Sequence, residues 1–219
     1  FKDEAFELKM IKGLNVVFNT ESTFWYEHLL DYRRYVDSVD NIFIDGIGVA
    51  LKTFGIRGFH KRYNGPDLLI HILVYAVKND VKVFLLGGKD LSDKELNALK
   101  ISSQIELPIS SNIDTLVDIA FKRANEFKDG IVLISLGLPK QEVFALKLYN
   151  KLETDHCEAV IPIGAAIDFL TDHKVRAGTF WQLVGLEWFL RAIREPRMVK
   201  RLIQSFTGLI RFEISNLKK

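Results

Sequence analysis

The chain has 219 residues, of which 48% are hydrophobic and 26% charged, a composition typical of a folded globular protein rather than a disordered one. Its 30 basic and 28 acidic side chains nearly balance, so the overall charge does not indicate a nucleic-acid-binding protein. The single cysteine, Cys157, excludes an internal disulfide framework and a cysteine-based zinc site, and no apolar run reaches the length of a membrane span. The cysteine usage and the mixed-charge start, Phe1-Lys2-Asp3-Glu4, predict a reducing compartment and no signal peptide.

Short β-type runs alternate with longer helical patterns through the first 170 residues. Strands are predicted at 14–18, 41–44, 81–86, 131–135 and 159–163, and helices at 23–37, 64–78, 92–100, 114–127 and 141–151. Pro66 is suited to a first helical turn, and Ser92-Asp93-Lys94-Glu95 has the pattern of a capping box. This alternation predicts an α/β fold with a mostly parallel sheet flanked by helices.

The composition changes after Asp172. From Lys174 to Lys219 there are ten basic and three acidic residues, a net charge of +7, interleaved with aromatic side chains. Two helices are predicted there, at 183–193 and 196–210, separated at Glu195-Pro196. The segment fits either a helix on an anionic, partly apolar surface or an amphipathic pair packed on the sheet domain. We therefore predict two units, 1–173 and a basic helical appendage at 174–219.

Small and polar residues gather directly after four predicted strands, at 45–48, 87–88, 137–142 and 164–168. Ligands of open parallel sheets bind outside the carboxyl ends of the strands, and helix N-termini opening there offer N–H groups to phosphate. This layout suits a nucleotide or a sugar nucleotide, although glycine pairs after strands also occur as plain turns. The sequence has no Walker-type loop, no Gly-x-Ser-x-Gly elbow and no metal-ligand histidine spacing, so neither a cofactor nor a metal is predicted.

Asp45 is the carboxylate that stands out, because it follows an apolar strand and precedes Gly46. Partial burial at a strand end would make it a usable general base, and the alternative is that it caps the following helix. Asp168 has the same two interpretations, with capping favoured. Lys140 and Gln141 open a helix beside Pro139, where they either bind a ligand or are simply polar residues of a first turn.

Six segments in this order resemble the WecG/TagA/CpsF family of bacterial glycosyltransferases, over about residues 14–201. They are Asp45-Gly46-Ile47-Gly48, Arg62-Tyr63-Asn64-Gly65-Pro66-Asp67, Phe84-Leu85-Leu86-Gly87-Gly88, Gly137-Leu138-Pro139-Lys140-Gln141-Glu142, Arg176-Ala177 and Gly185-Leu186-Glu187-Trp188-Phe189-Leu190-Arg191. The resemblance implies a Rossmann-like fold. It also implies inverting, metal-independent transfer of a sugar, such as N-acetylmannosamine, its uronic acid or glucose, from a UDP-sugar donor to an undecaprenyl-diphosphate-linked acceptor. The implied location is the inner face of the cytoplasmic membrane, in the synthesis of teichoic acid, capsule or exopolysaccharide. No nucleic acid is expected as a partner, and homo-oligomerisation is left open.

The resemblance also implies roles for individual residues. Asp45 matches the proposed base and Gln141 a glutamine of the pocket. Substrate contacts are expected, from the resemblance or from the position after a strand, at the following residues: Asn19, Thr20, Gly46, Arg62, Gly65, Asp67, Gly87, Gly88, Gly137, Pro139, Lys140, Gly164, Asp168, Arg191, Arg197 and Arg201.

Three segments depart from the family pattern. Asn19-Thr20 stands where Thr-x-Asn is usual, Glu106-Leu107-Pro108-Ile109 replaces a Gly-Tyr segment, and Arg176-Ala177-Gly178 replaces Arg-Ala-Pro. These changes are compatible with a different sugar or acceptor, or with a sugar-nucleotide-binding subunit of reduced activity.

Overall fold

The computed structural model describes residues 11–55, 63–108, 112–152, 156–171 and 198–214. Its strands are β1 (Gly13–Phe18), β2 (Asn41–Ile44), β3 (Val83–Gly87), β4 (Ser103–Ile105), β5 (Ile131–Ser135) and β6 (Ala159–Pro162). The helices of this part of the chain are α1 (Thr20–His28), α2 (Leu30–Ser38), α3 (Ile47–Phe54), α4 (Gly65–Lys78), α5 (Asp93–Leu99), α6 (Ile113–Phe121), α7 (Lys140–Lys151), α8 (Ala166–Leu170) and α9 (Met198–Arg211).

The strands form one parallel sheet in the order β2-β1-β6-β5-β3-β4. The central strands β5 and β6 are buried along their whole length, as the continuous apolar run of β5 predicts. The predicted α/β architecture with a parallel sheet flanked by helices is confirmed.

Two apolar clusters cover the two faces of the sheet. One face is packed by α1, α2, α6 and α7, and the other by α4, α5 and α8. Helices α1, α2, α6 and α7, on crossovers that move toward β2, pack on the first face. Helices α4 and α5, on crossovers that move toward β4, pack on the second, whereas the short α3 that precedes α4 contributes Val49 and Ala50 to the first. A single hand for every crossover requires this division, and the parallel β-α-β connection is right-handed in nearly all proteins.

Local signals set several boundaries, and tertiary contacts override others. Helix α4 has Pro66 in its first turn, and α5 begins at a capping box in which Ser92 Oγ accepts from Glu95 N. The prediction of one helix at 23–37 is wrong, because Leu29 is extended and separates α1 from α2. The helix predicted at 114–127 ends at Phe121 and is followed by a short 3₁₀ turn. Strand β4, which has no strand signal, was not predicted.

Helix α9 packs directly on the sheet domain. It crosses α1 so closely that a Cβ at Gly208 would lie 2.4 Å from Phe24 N. Phe212, just beyond the helix, is 1% exposed and its ring lies 5.3 Å from those of Phe18 and Tyr26. Lys52 Nζ on α3 donates to Leu209 O at the end of α9. The helix predicted at 183–193 lies outside the described residues, and the division at 173/174 stays a prediction.

Candidate active site at the carboxyl edge of the sheet

All six strands run in parallel, so the loops that follow them share one edge of the sheet. The chain leaves β1 and β5 toward the helices of one face, whereas it leaves β6, which lies between them, toward α8 on the other face. Neighbouring strands with diverging connections leave a crevice between them, and this is where open α/β sheets bind ligands. The predicted gathering of these loops at one edge is therefore confirmed.

Asp45 stands at the tip of β2, half-buried, with its backbone N–H donating to Phe18 O at 2.8 Å. Its Oδ1 accepts from Gly46 N at 2.6 Å, which turns the carboxylate back over the start of the next loop. Helix α3 has Gly46 as its N-cap and no side-chain capping bond, so the interpretation of Asp45 as a helix cap is wrong. Because Asp45 is only half-buried, it does not lie in the packed interior.

Asn19 and Thr20 follow β1 and lie beside the β2 loop. A Cβ at Gly48 would be 3.0 Å from Thr20 Oγ1, and a Cβ at Gly46 would be 3.6 Å from the same atom. Asn19 Oδ1 accepts from Glu21 N and Ser22 N at 2.9 and 3.1 Å and thereby caps α1. The first N–H groups of α1 are therefore already partly satisfied by Asn19.

Other helices that begin at this edge lack such a cap. No side-chain capping bond is made at the N-termini of α3, α4, α7 and α8, whose N-cap residues are Gly46, Asn64, Pro139 and Ala165. The first N–H groups of a helix carry partial positive charge and attract anions. Around the ends of β2, β5 and β6, this arrangement favours a negatively charged ligand.

The segment before α4 joins this group. Tyr63 N donates to Ile44 O at 2.8 Å, which attaches the segment to the end of β2. Gly65 lies against α8, since a Cβ there would be 3.9 Å from that of Ala166. Asp67 is half-buried in the first turn of α4. Of the predicted residues of this stretch that are described, Gly65 therefore lies between the β2 and β6 loops, and Asp67 follows it in the first turn of α4.

The loops after β3, β5 and β6 are tied together through Ser135. Its Oγ donates to Gly164 O at 2.8 Å and would lie 2.9 Å from a Cβ at Gly88. Gly164 has φ +54, a left-handed backbone that favours glycine, and its N–H donates to Gln141 Oε1 at 3.0 Å. Gly87, at the end of β3, packs against the chain at Ser135 in the same way.

Gln141 is 6% exposed, and both ends of its amide are bonded within the protein. Its Nε2 donates to Glu142 Oε1 at 2.7 Å while its Oε1 accepts from Gly164. The amide therefore holds the β5 and β6 loops together from beneath the crevice, and its contact with a ligand stays a prediction.

Glu142 is a feature that the sequence analysis missed as a site residue. Its side chain is 1% exposed, its Oε2 has no hydrogen-bond partner, and burial raises its pKa to about 8. The signal in the sequence was its place in the first turn of α7 directly after a buried strand, where one face of the helix must turn inward.

The remaining predicted residues surround these loops. Gly137 is exposed, with open space where a side chain would be. Pro139, joined to Leu138 by a cis peptide bond, precedes the half-buried Lys140 at the start of α7. Asp168 is in the first turn of α8.

Arg201 reaches this edge from α9. Its Nε and Nη2 donate to the two carboxylate oxygens of Glu21 at 3.1 and 2.7 Å, two residues after Asn19. The pair joins α9 to the β1 loop. The other predicted arginines, Arg62, Arg191 and Arg197, lie outside the described residues.

A sequence model of the Glycosyl transferase WecG/TagA/CpsF family matches residues 5–218. The chain belongs to this family. This WecG/TagA/CpsF member is a glycosyltransferase of the kind used in cell-surface polysaccharide synthesis, and its Rossmann-like parallel sheet is the scaffold for that activity. Family membership also places a sugar donor and a lipid-linked acceptor among its substrates in general terms.

Proposed function

We propose that this protein transfers a sugar from a UDP-sugar to an undecaprenyl-diphosphate-linked saccharide, by inversion and without a metal ion. The observation that carries the proposal is the half-buried Asp45 at the tip of β2, beside Thr20 and the crevice between diverging loops. Open parallel sheets bind nucleotide-containing ligands in the crevice at this edge.

In the proposed reaction, Asp45 accepts the proton of the acceptor hydroxyl. The hydroxyl oxygen attacks the anomeric carbon, its bond to that carbon forms as the carbon–oxygen bond to the diphosphate breaks, and UDP departs with the bonding electrons. Because the hydrogen bond from Gly46 N fixes one carboxylate oxygen, the base has a defined direction. A single displacement inverts the anomeric centre.

The charge that develops on the leaving diphosphate needs fixed positive partners. The uncapped N-termini of α3, α4, α7 and α8 supply N–H dipoles around the crevice. Arg201 supplies a guanidinium suited to bidentate contact with phosphate oxygens, once it exchanges Glu21 for the substrate. Arg191 and Arg197 are proposed for the same role on the basis of the resemblance alone.

The test is UDP release by Asp45→Asn, which keeps the shape of the side chain and removes its basicity. General-base catalysis contributes about 10²–10⁴-fold, so kcat should fall by about that factor while donor binding persists. Asp129→Asn is the matched control, because Asp129 is exposed and precedes β5 at the opposite edge of the sheet. Undiminished turnover by Asp45→Asn would exclude it as the base.

A second candidate is a sugar-nucleotide-binding subunit of a polysaccharide assembly complex with reduced catalysis. The observation that favours it is Asn19, whose side-chain oxygen is used to cap α1. A UDP-sugar that raises the melting temperature without any turnover, by the wild type and with every acceptor tried, would support this candidate.

We further propose that α9 contacts the cytoplasmic face of the membrane. Val199, Ile203, Phe206 and Ile210 are all exposed on one side of α9, at 49, 62, 46 and 80%. Apolar residues at this spacing next to basic ones are typical of helices that lie in a bilayer interface. Within the part of the chain that the structure describes, no helix has both the length and the apolarity to cross a bilayer.

The membrane proposal is tested with Ile203→Ser/Phe206→Ser and vesicles that contain anionic lipid. Burial of a large apolar side chain contributes about 1.5–3 kcal/mol, so the double variant should bind at least about tenfold more weakly. Ile70→Ser/Val74→Ser is the control, because these residues are also exposed but on α4. Equal weakening in both variants, or in neither, would contradict the assignment of the contact to α9.

A further inference from the structure

One buried carboxyl group in the candidate active site has no assigned task. Glu142 lies in the first turn of α7, 1% exposed, and one of its oxygens accepts from Gln141 while the other has no partner. The hydroxyl oxygen of Tyr32, on α2, is also fully buried and makes no hydrogen bond within the usual bonding distance. Unsatisfied buried polar atoms are rare because each carries a desolvation cost.

Among the described residues, the titratable groups that interact with Glu142 carry no positive charge to neutralise it. In the described part of the chain, Glu142 interacts electrostatically with Glu21 from α1 and with Tyr32 and Tyr35 from α2. Burial is the main reason that the pKa of Glu142 rises to about 8, the hydrogen bond from Gln141 lowers it, and Glu21 raises it further. Burial also raises the pKa of Tyr32 well above 10.0, followed by the charge of Glu142, so Tyr32 stays neutral.

The hydrogen-bond directions around Gln141 are determined by Gly164. The N–H of Gly164 needs an acceptor, so the amide oxygen of Gln141 faces it and the amide nitrogen faces Glu142. Glu142 Oε1 therefore accepts. A proton on Oε2 would remove the buried negative charge from the one carboxyl oxygen that has no hydrogen-bond partner.

We propose that Glu142 works in its protonated form as a positioning residue, which holds Gln141 against Gly164 and so keeps the β5 and β6 loops in their active shape. The effect on turnover rests on the proposed function, whereas the protonation state does not. Loss of the proton would leave a buried charge that the hydrogen bond from Gln141 offsets only in part, so the ionised side chain would turn toward solvent and leave Gln141 without its acceptor.

The sign of the pH dependence follows from the raised pKa. Below the ordinary value of 4.5 the carboxyl is protonated in both folded and unfolded chains, and its stabilising contribution is fully present. As the pH rises toward about 8 the unfolded chain loses the proton while the folded chain keeps it, so the stability falls across this window and levels off above it.

The experiment compares the wild type with Glu142→Gln, whose neutral amide reproduces the acceptor and the donor of the protonated acid. From pH 7 to pH 9 the wild type should lose activity by about tenfold more than Glu142→Gln, because about one molecule in ten keeps the proton at pH 9. Glu126→Gln is the matched control, since Glu126 is exposed and precedes β5 at the opposite edge of the sheet, and it should follow the wild-type profile. Glu142→Ala should raise the donor KM, because it leaves the amide of Gln141 without its acceptor.

Two readouts are independent of glycosyl transfer. The melting temperature of the wild type should fall between pH 5 and pH 8 more steeply than that of Glu142→Gln. The infrared band of a buried protonated carboxyl should be present in the wild type at pH 7 and absent from Glu142→Gln. Identical melting profiles, or a wild type without that band, would overturn the proposal. If both readouts appear while Asp45→Asn retains full turnover, the proposed base fails and the protonated Glu142 stands.

Discussion

Gly208 is the position where the contact between α9 and α1 can be tested most directly. A Cβ there would lie 2.4 Å from Phe24 N and 2.6 Å from Phe24 Cα, about 1 Å short of the 3.4 Å of ordinary contact. The obstructing atoms are the backbone of α1, which cannot rotate away as a side chain would. In Gly208→Ala the two helices must therefore separate, and α9 carries Arg201 with it.

The magnitude is a difference between two effects. Overpacking of a tight contact costs about 1–3 kcal/mol, and alanine regains about 1 kcal/mol of helix propensity over glycine. Because the obstructing atoms are backbone, the overpacking cost lies in the upper part of its range, at about 2–3 kcal/mol. We therefore expect a net loss of about 1–2 kcal/mol and a decrease in melting temperature of roughly 2–8 °C for a chain of this size. Thermal unfolding followed by circular dichroism measures this loss, and UDP release should fall in parallel because α9 moves Arg201 away from the proposed position of the diphosphate.

The matched control is Thr207→Ala, one residue earlier on the same helix. Thr207 is exposed and its hydroxyl bonds only locally, to Gln204 O, so its removal should change stability by less than about 0.5 kcal/mol. A melting temperature of Gly208→Ala equal to or above that of the wild type would refute the close crossing of α1 and α9.

Three further outcomes are expected. Asn19→Ala should lower the free energy of unfolding by about 1 kcal/mol because α1 loses its cap, whereas Asn19→Asp should retain the wild-type value. Equal unfolding free energies of the two variants in urea titrations would contradict the cap. Gly164→Ala should lower the free energy of unfolding by about 1–2 kcal/mol, since φ is +54 there, and Gly164→Asn should lower it less. Equal stability of the wild type and both variants would contradict the left-handed backbone at this position. Burial raises the pKa of the Cys157 thiol to about 12, so a thiol reagent at pH 8 should label it only after unfolding in denaturant; rapid labelling of the native protein would count against its burial.

Elements with a strong local signal were predictable from the sequence. The continuous apolar run of β5 and the proline in the first turn of α4 determine those elements without help from the rest of the chain. Strand β4, in contrast, is three residues long and pairs only with β3 at the sheet edge. No glycine or proline marks the break at Leu29 in the sequence. The break follows from the burial of Tyr32 and Tyr35 on a separate helix.

The candidate site shows the same division. The gathering of Asp45, Gly88 and Gly164 at one edge follows from the rule that parallel strands end together, so it was predictable. The partners of individual side chains were not. Whether Glu142 points inward, and whether Arg201 pairs with Glu21, depends on how helices pack that are far apart in sequence, and short-range patterns carry no information on that.

The docking of α9 onto α1 joins an early part of the chain to a late one, since Glu21 and Arg201 are 180 residues apart. A ribosome adds about 5–20 residues each second, so α9 is synthesised about 10–40 s after α1. During this time the face of α1 that contacts Gly208 is exposed. Throughout this interval, the exposed face of α1 could bind other proteins or other nascent chains. Completion of the fold therefore requires the translation of α9, which makes termination before α9 a route to aggregation rather than to a shortened enzyme.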